Sequence, residues 1–250
     1  RPQIAVLTGI AWDHINVFPT FEEYLQAFRD FLRSLPENAR VFYYAQDPHL
    51  PQLIEEFPQL KAQAYDVFPH QLHQGQTLLQ SSAGPSYPTP LLGAHNMQNL
   101  MAARLVTQEL GIDEAAFLQA MSNFRGAAKR LQLLGRRADG SRLFLDFAHA
   151  PSKVKATVEA VRRQFPDQAL RVCLELHTYS SLNRDFLPQY AGSLDQAQQA
   201  CVYFSPKTLE VKRLKPIAEQ DLQEAFQHSS LQVVTHKTAL EKWLHQSAAQ

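Results

Sequence analysis

From Ala127 to the carboxyl end the sequence keeps one rhythm, a short apolar run followed by an amphipathic stretch and then another apolar run. Strands are expected at Arg142 to Asp146, Leu170 to Leu174 and Ala200 to Phe204, with helices at Pro151 to Gln164 and Asp185 to Ala191 between them. The tail continues with a helix at Glu219 to Gln227, a strand at Leu231 to Val234 and a helix at His236 to His245. Strands separated by helix-length segments cannot pair as tight hairpins, so this alternation predicts a parallel sheet with covering helices.

The front of the chain reads as a second α/β unit. A strand at Ile4 to Thr8 precedes an amphipathic helix over Phe21 to Leu32, with Thr20 placed as its N-cap. Pro36-Glu37-Asn38 ends that helix, and Arg40 to Ala45 reads as a buried parallel strand. Residues from about 60 to 90 are rich in Gln, Ser and Pro and predict short strands and turns. Helices are expected at Asn96 to Leu110 and at Asp113 to Asn123. The boundary falls near Gly126, giving domains of 1–126 and 127–250.

Lys plus Arg equals Asp plus Glu, at 24 each, and no basic run occurs, so charge argues against a nucleic-acid partner or an acidic membrane surface. No apolar stretch reaches spanning length, and the amino end lacks a signal-peptide layout. Cys173 and Cys201 both lie in apolar runs, the pattern of buried, reduced thiols, and predict a cytoplasmic protein. The chain enters its first strand almost at once from Arg1, which predicts a piece of a longer protein.

Four segments carry groups suited to chemistry. Gly93-Ala94-His95-Asn96-Met97-Gln98-Asn99 puts planar hydrogen-bonding side chains at a helix start, with His95 and Asn99 on one face, as a flat polar ligand requires. An ordinary helix capped by Asn96 accounts for the same residues. Asp146-Phe147-Ala148-His149-Ala150-Pro151 ends a strand and opens a helix, where α/β sheets bind ligands, although Asp146 and His149 also suit plain bracing of the turn. Asp13-His14 follows the first strand, where an imidazole can ligate a divalent metal or be merely structural. Arg130, after Phe124-Arg125-Gly126, can clamp phosphate bidentately from a hinge, or be simply solvated.

In this order the four segments resemble the Mur ligase family, ATP-dependent amide-bond-forming enzymes of peptidoglycan synthesis. The resemblance implies the rear part of a P-loop-type central ATPase domain followed by a Rossmann-like carboxy-terminal domain. It implies that His95, Asn96 and Asn99 surround adenine, that Arg130 and Asp146 contact the phosphate and ribose region of ATP, that His14 is a Mg2+ ligand, and that His149 lies near substrate and nucleotide. Arg130 and His149 are then the catalytic candidates. Members activate a carboxylate as an acyl phosphate, which an amino group attacks.

Trp12-Asp13-His14-Ile15-Asn16-Val17-Phe18 is more similar to the murein tripeptide ligase branch. The His177-Thr178-Tyr179 and Arg184-Asp185 elements are also similar to the UDP-N-acetylmuramate–L-alanine branch. Both branches imply UDP-N-acetylmuramate as the carboxylate substrate. The amine is L-Ala-γ-D-Glu-meso-diaminopimelate in the first, the preferred reading, and L-alanine in the second; His177, Thr178, Ser181 and Arg184 are the candidates for contacting it.

The family's Gly-Lys-Thr phosphate loop is not found in these residues, so the missing amino-terminal half of the same enzyme is the expected partner, and the chain alone is expected to be inactive. A non-catalytic nucleotide-binding module is the competing reading. A metallohydrolase built from His14, His95, Asp146 and His149 lacks the compact histidine spacing such sites use, and no Gly-x-Gly-x-x-Gly follows a strand to support an oxidoreductase.

Overall fold

A computed structural model describes residues 1–246. The chain divides into two compact units, one formed by Arg1–Trp12 with Phe18–Ala128, the other by Asp13–Val17 with the residues from Lys129 onward.

In the first unit, β1 (Ile4–Leu7), β2 (Arg40–Tyr44) and β3 (Lys61–Tyr65) form a parallel sheet in chain order. Its crossovers are α1 (Phe21–Ser34) and the short α2 (Leu50–Glu55). Thr20 caps α1 as expected, and the structure adds a reciprocal pair with Glu23. Both faces of the sheet are covered. Ala5, Leu7 and Val41 pack with Leu32, Leu50 and Leu53, whereas Ile4, Val6 and Phe42 face Ala102 and Leu105. That explains the unbroken apolar run of β2, which a one-sided sheet would have shown as an alternation.

The predicted short strands after residue 60 include an antiparallel sheet of β4 (His70–His73), β5 (Gln76–Leu79) and β6 (Tyr87–Thr89). It leads into α3 (Ala94–Glu109), which starts two residues earlier than expected. α4 (Glu114–Asn123) follows, capped by Asp113. Phe68, Leu79, Met97, Leu100, Phe117 and Leu118 form the core beneath these elements.

The second unit corrects part of the expected rhythm. The strand at 142–145, β8 (Arg142–Leu145), does not join the parallel sheet; it pairs antiparallel with β7 (Gln132–Arg136), which lacks a clear apolar alternation. The parallel sheet is β9 (Arg171–Glu175), β10 (Gln199–Tyr203) and β11 (Leu231–Val234), with β10 central. It is accompanied by α5 (Pro151–Gln164), α6 (Pro206–Lys212), α7 (Glu219–Phe226) and α8 (Lys237–His245).

The helix expected at Asp185 to Ala191 is reduced to a single 3₁₀ turn at Leu187–Tyr190, with Pro188 inside it. Ala191 leaves helical geometry at φ −51° and ψ 129°, and Gly192 follows at a φ of 73°, so the segment ends after one turn. The core gathers Val154, Val158, Leu174, Tyr190, Val202 and Phe226, and Ile15 packs against it. Burial of Ile15 is why the short segment Asp13–Val17 belongs to this unit. Cys173 is exposed, contrary to the expectation of two buried thiols, while Cys201 is buried.

Candidate functional site

In the first unit the residues at the start of α3 are set by Gly93, whose φ of 85° and ψ of 151° lie in a region essentially closed to side chains with a Cβ. Gly93 itself is the N-cap, so the capping role expected of Asn96 is corrected. Asn96 sits one turn into the helix and its Nδ2 donates 2.7 Å back to the Leu92 carbonyl, tying the approach loop to the helix. The backbone N–H groups of Asn96 and Met97 both donate to the Gly93 carbonyl, at 3.1 and 3.2 Å. Gln98 reaches across to donate to the Thr8 carbonyl after β1. Buried Met97 anchors this turn below. His95 is half-buried and Asn99 exposed, and their four-residue spacing stacks them on one side of α3.

In the second unit the end of β8 is stitched to the segment before β7 by three short bonds. Asp146 Oδ2 accepts the Leu131 N–H at 2.6 Å, Asp146 Oδ1 accepts the Ala148 N–H at 2.6 Å, and the Phe147 N–H donates 2.8 Å to the Lys129 carbonyl. Lys129 and Leu131 both hold positive φ, 58° and 44°, a conformation costing a non-glycine residue about 1–2 kcal/mol. Of the two strained residues that flank Arg130, Leu131 is therefore held by the Asp146 carboxylate and Lys129 by the Phe147 N–H. The Arg130 side chain is exposed and its guanidinium lies 6.0 Å over the Phe147 ring.

His149 follows on the same turn. Its Nδ1 lies 2.9 Å from the Phe147 carbonyl. A carbonyl only accepts, so Nδ1 donates to it. The ring meets Phe147 edge-on at 5.1 Å and His177 at 5.8 Å, and Phe147 also touches His177 at 5.8 Å. His177 Nδ1 is shut off from solvent with no hydrogen-bond partner among the described residues. The backbone of His149 is fixed by Tyr190, whose buried hydroxyl donates to its carbonyl and whose ring stacks on Phe226. Burial pushes the Tyr190 phenol well above its ordinary range.

Asp13 is 5% exposed and gathers basic groups around its carboxylate. Its Oδ1 accepts the His14 N–H at 2.8 Å, and its Oδ2 lies 3.4 Å from Lys153 Nζ and 3.8 Å from His149 Nε2. His14 itself is largely exposed and holds a φ of 56°, with its Nε2 4.0 Å from the same oxygen. No group of three or more metal-ligating side chains exists among the described residues. These residues do not make a resident metal site. His14 offers a single ligand, and Mg2+ ordinarily completes its shell with phosphate oxygens and water.

The remaining candidates divide. Thr178 and Ser181 are turned to each other: their hydroxyls lie 2.8 Å apart, and each accepts the other's backbone N–H, at 3.0 and 3.1 Å. They close a turn. Arg184 pairs with Asp221 and lines a cleft of about 580 Å³ with Arg213, Lys215 and Glu224.

Three residues that shape this region were not singled out from sequence. Lys153 stands in the first turn of α5, and its contact with Asp13 spans 140 residues. Phe147 is the aromatic surface common to Arg130, His149 and His177. Tyr190 gives no sequence signal, because its partner is a backbone carbonyl 41 residues away.

Residues 1–107 match the model of the Mur ligase middle domain. The UDP-N-acetylmuramate–L-alanine ligase of Desulfitobacterium hafniense (strain Y51) is 25% identical over 210 residues, covering 80% of this chain and 46% of that protein. The chain thus spans about half the length of the curated relatives it matches. A MurF ligase from Thermotoga maritima in complex with ADP superposes with a TM-score of 0.72 at 14% identity, over 99% of this chain and 56% of that one. The murein peptide ligase from Psychrobacter arcticus 273-4 gives 0.61 at 18% identity, over 100% of this chain and 53% of that one. The match to the Mur ligase middle domain thus covers residues 1–107, and nearly the whole chain shares the fold of solved Mur ligases.

Proposed function

We propose that this chain forms the rear of a P-loop-type central ATPase domain, to residue 126, and a Rossmann-like carboxy-terminal domain, 127–250, of an ATP-dependent ligase acting on UDP-N-acetylmuramate. The phosphate-binding loop then lies in the longer protein of which these 250 residues are part. The observation that supports this reading most is the stitched turn of the second unit, where one carboxylate fixes the backbone just after Arg130 and just before His149.

In this reading His95, Asn96 and Asn99 hold the adenine ring, with Gly93 allowing the loop to approach it closely. Each Asp146 oxygen accepts one backbone N–H and keeps a lone pair for a ribose hydroxyl. Arg130, on its Phe147 support, contacts phosphate, and His149 faces the reacting groups. Asp13 orients His149 and Lys153 rather than touching substrate. His14 supplies one ligand to the Mg2+ that accompanies ATP. The carboxylate takes the γ-phosphoryl group of ATP to give an acyl phosphate, the amine attacks its carbonyl carbon, and phosphate leaves; the protein supplies positioning and charge.

The amine binds near His177 and Arg184, with Thr178 and Ser181 shaping the turn between them. The Trp12 to Phe18 segment favours the tripeptide L-Ala-γ-D-Glu-meso-diaminopimelate, and the name of the Desulfitobacterium relative favours L-alanine. Phosphate release by the longer protein, given ATP, UDP-N-acetylmuramate and each amine in turn, decides between them. Release with alanine only rejects the tripeptide, and release with neither rejects the ligase. For the adenine pocket, His95→Ala and Asn99→Ala should each weaken ATP binding by about 1–3 kcal/mol through a lost hydrogen bond; unchanged affinity removes the assignment.

A further inference from the structure

The two cysteines of the chain, Cys173 on β9 and Cys201 on β10, are directly opposite each other in the parallel ladder. On β9, Val172 and Leu174 turn to the core, and on β10 so do Ala200 and Val202. Both thiols therefore stand on the other face of the sheet, side by side. Cys173 reaches solvent and Cys201 does not. The functional reading above uses neither.

We propose that Cys173 and Cys201 form an oxidation site, in which Cys173 reacts with a peroxide and Cys201 then closes a reversible disulfide between β9 and β10. Adjacent strands lie about 4.8 Å apart, inside the Cα separation of about 4.4–6.8 Å that a disulfide accepts. Opposed residues of a parallel pair keep their Cβ atoms at a similar spacing, wider than the roughly 3.5–4.5 Å preferred, so the bond closes under strain and is easily reduced.

The environment divides the labour. The neighbouring Cys201 thiol draws the Cys173 thiol below its ordinary range against burial and the Glu175 carboxylate. The neighbouring Cys173 and burial hold Cys201 protonated. Arg171, one residue pair along the same face and stacked 4.1 Å over Trp243, favours the thiolate of either cysteine.

The Cys173 thiolate attacks the peroxide, breaking its O–O bond to give a sulfenic acid and an alkoxide or hydroxide, which takes up a proton. Cys201 attacks the sulfenic sulfur, the S–O bond breaks, and the departing hydroxide leaves as water with the Cys201 proton. With hydrogen peroxide, two thiols become one disulfide and two waters.

The full chain is treated with hydrogen peroxide, alkylated under denaturing conditions, and measured by intact mass and peptide mapping. The expected product is a monomer that has lost two hydrogens and both alkylatable thiols, yields one peptide pair joined through Cys173 and Cys201, and regains both thiols with dithiothreitol. In Cys201→Ser the Cys173 sulfenic acid should persist and label with dimedone; in Cys173→Ser, Cys201 should remain unoxidised while the chain is folded. A monomer that keeps both thiols, a disulfide-linked dimer, or sulfinic acid at Cys173 beside free Cys201 overturns the proposal.

Discussion

Replacing Asp146 measures what its carboxylate does to the turn on which Arg130 and His149 stand. It accepts two backbone N–H groups at 2.6 Å each, from Leu131 and Ala148, in a half-buried setting. Hydrogen bonds to a charged partner contribute about 1.5–3 kcal/mol each, and partial exposure argues for the low end. Asp146→Ala should then destabilise the second unit by about 3 kcal/mol. Asp146→Asn keeps one acceptor and turns an amide N–H toward the other donor, so about half that loss is expected.

The same turn carries strain at the positive-φ residues Lys129 and Leu131. Adding Lys129→Gly to Asp146→Ala should recover about 1 kcal/mol, since glycine takes positive φ without penalty. The chain has two tryptophans, one in each unit, so urea unfolding in a Trp12→Phe background reports the second unit alone through buried Trp243. With a slope of about 2 kcal/mol per molar, the Ala variant should unfold about 1.5 M earlier. Both variants within about 0.5 kcal/mol of the parent, or Asn as damaging as Ala, would falsify the bracing account.

Tyr190→Phe removes the buried donor to the His149 carbonyl and should cost about 1–2 kcal/mol in the same urea assay; no change would mean water serves that carbonyl equally well. Gly93→Ala forces a Cβ into a glycine-only conformation and should lower the stability of the first unit by about 1–3 kcal/mol, read by Trp12 fluorescence in a Trp243→Phe background. Burial raises the Tyr65 phenol from 10.0 to about 12. A folded-state value above the unfolded one means stability that is whole below pH 10 and declines until about pH 12, a loss of about 3 kcal/mol that Tyr65→Phe should abolish from the pH–stability curve.

Local physics written in adjacent residues was legible in the sequence. The Thr20 cap, a helix beginning at about Asp113, the buried run of β2 and the opening of α5 at Pro151 each depend on neighbours within about a turn. The start of α3 was displaced by two residues because Gly93, not the better capping side chain of Asn96, takes the N-cap. The partner of β8 was missed for a different reason. β7 carries Gly135 at a register shift and exposes Leu133 and Leu134, so it shows no period of two. Cys173 read as buried because its neighbours Val172 and Leu174 are apolar, yet alternation along β9 sends them and the thiol to opposite faces.

The site residues divide along the same line. Asp146 and His149 were named from their place between a strand end and a helix start, and Arg130 from its place at a hinge, which sequence reveals. What holds them was hidden, because Asp13 meets Lys153 140 residues away and Tyr190 meets His149 across 41. These long-range contacts also separate two kinds of carboxylate in the second unit. Asp146 accepts backbone N–H groups and fixes the course of the chain, so its loss should appear first in stability. Asp13 instead sits among side chains that keep rotamer freedom, with Lys153 half exposed, so its substitution should disturb the orientation of His149 and Lys153 more than the fold. The course of the backbone around Asp146 and the side-chain arrangement around Asp13 therefore rest on different contacts within the second unit.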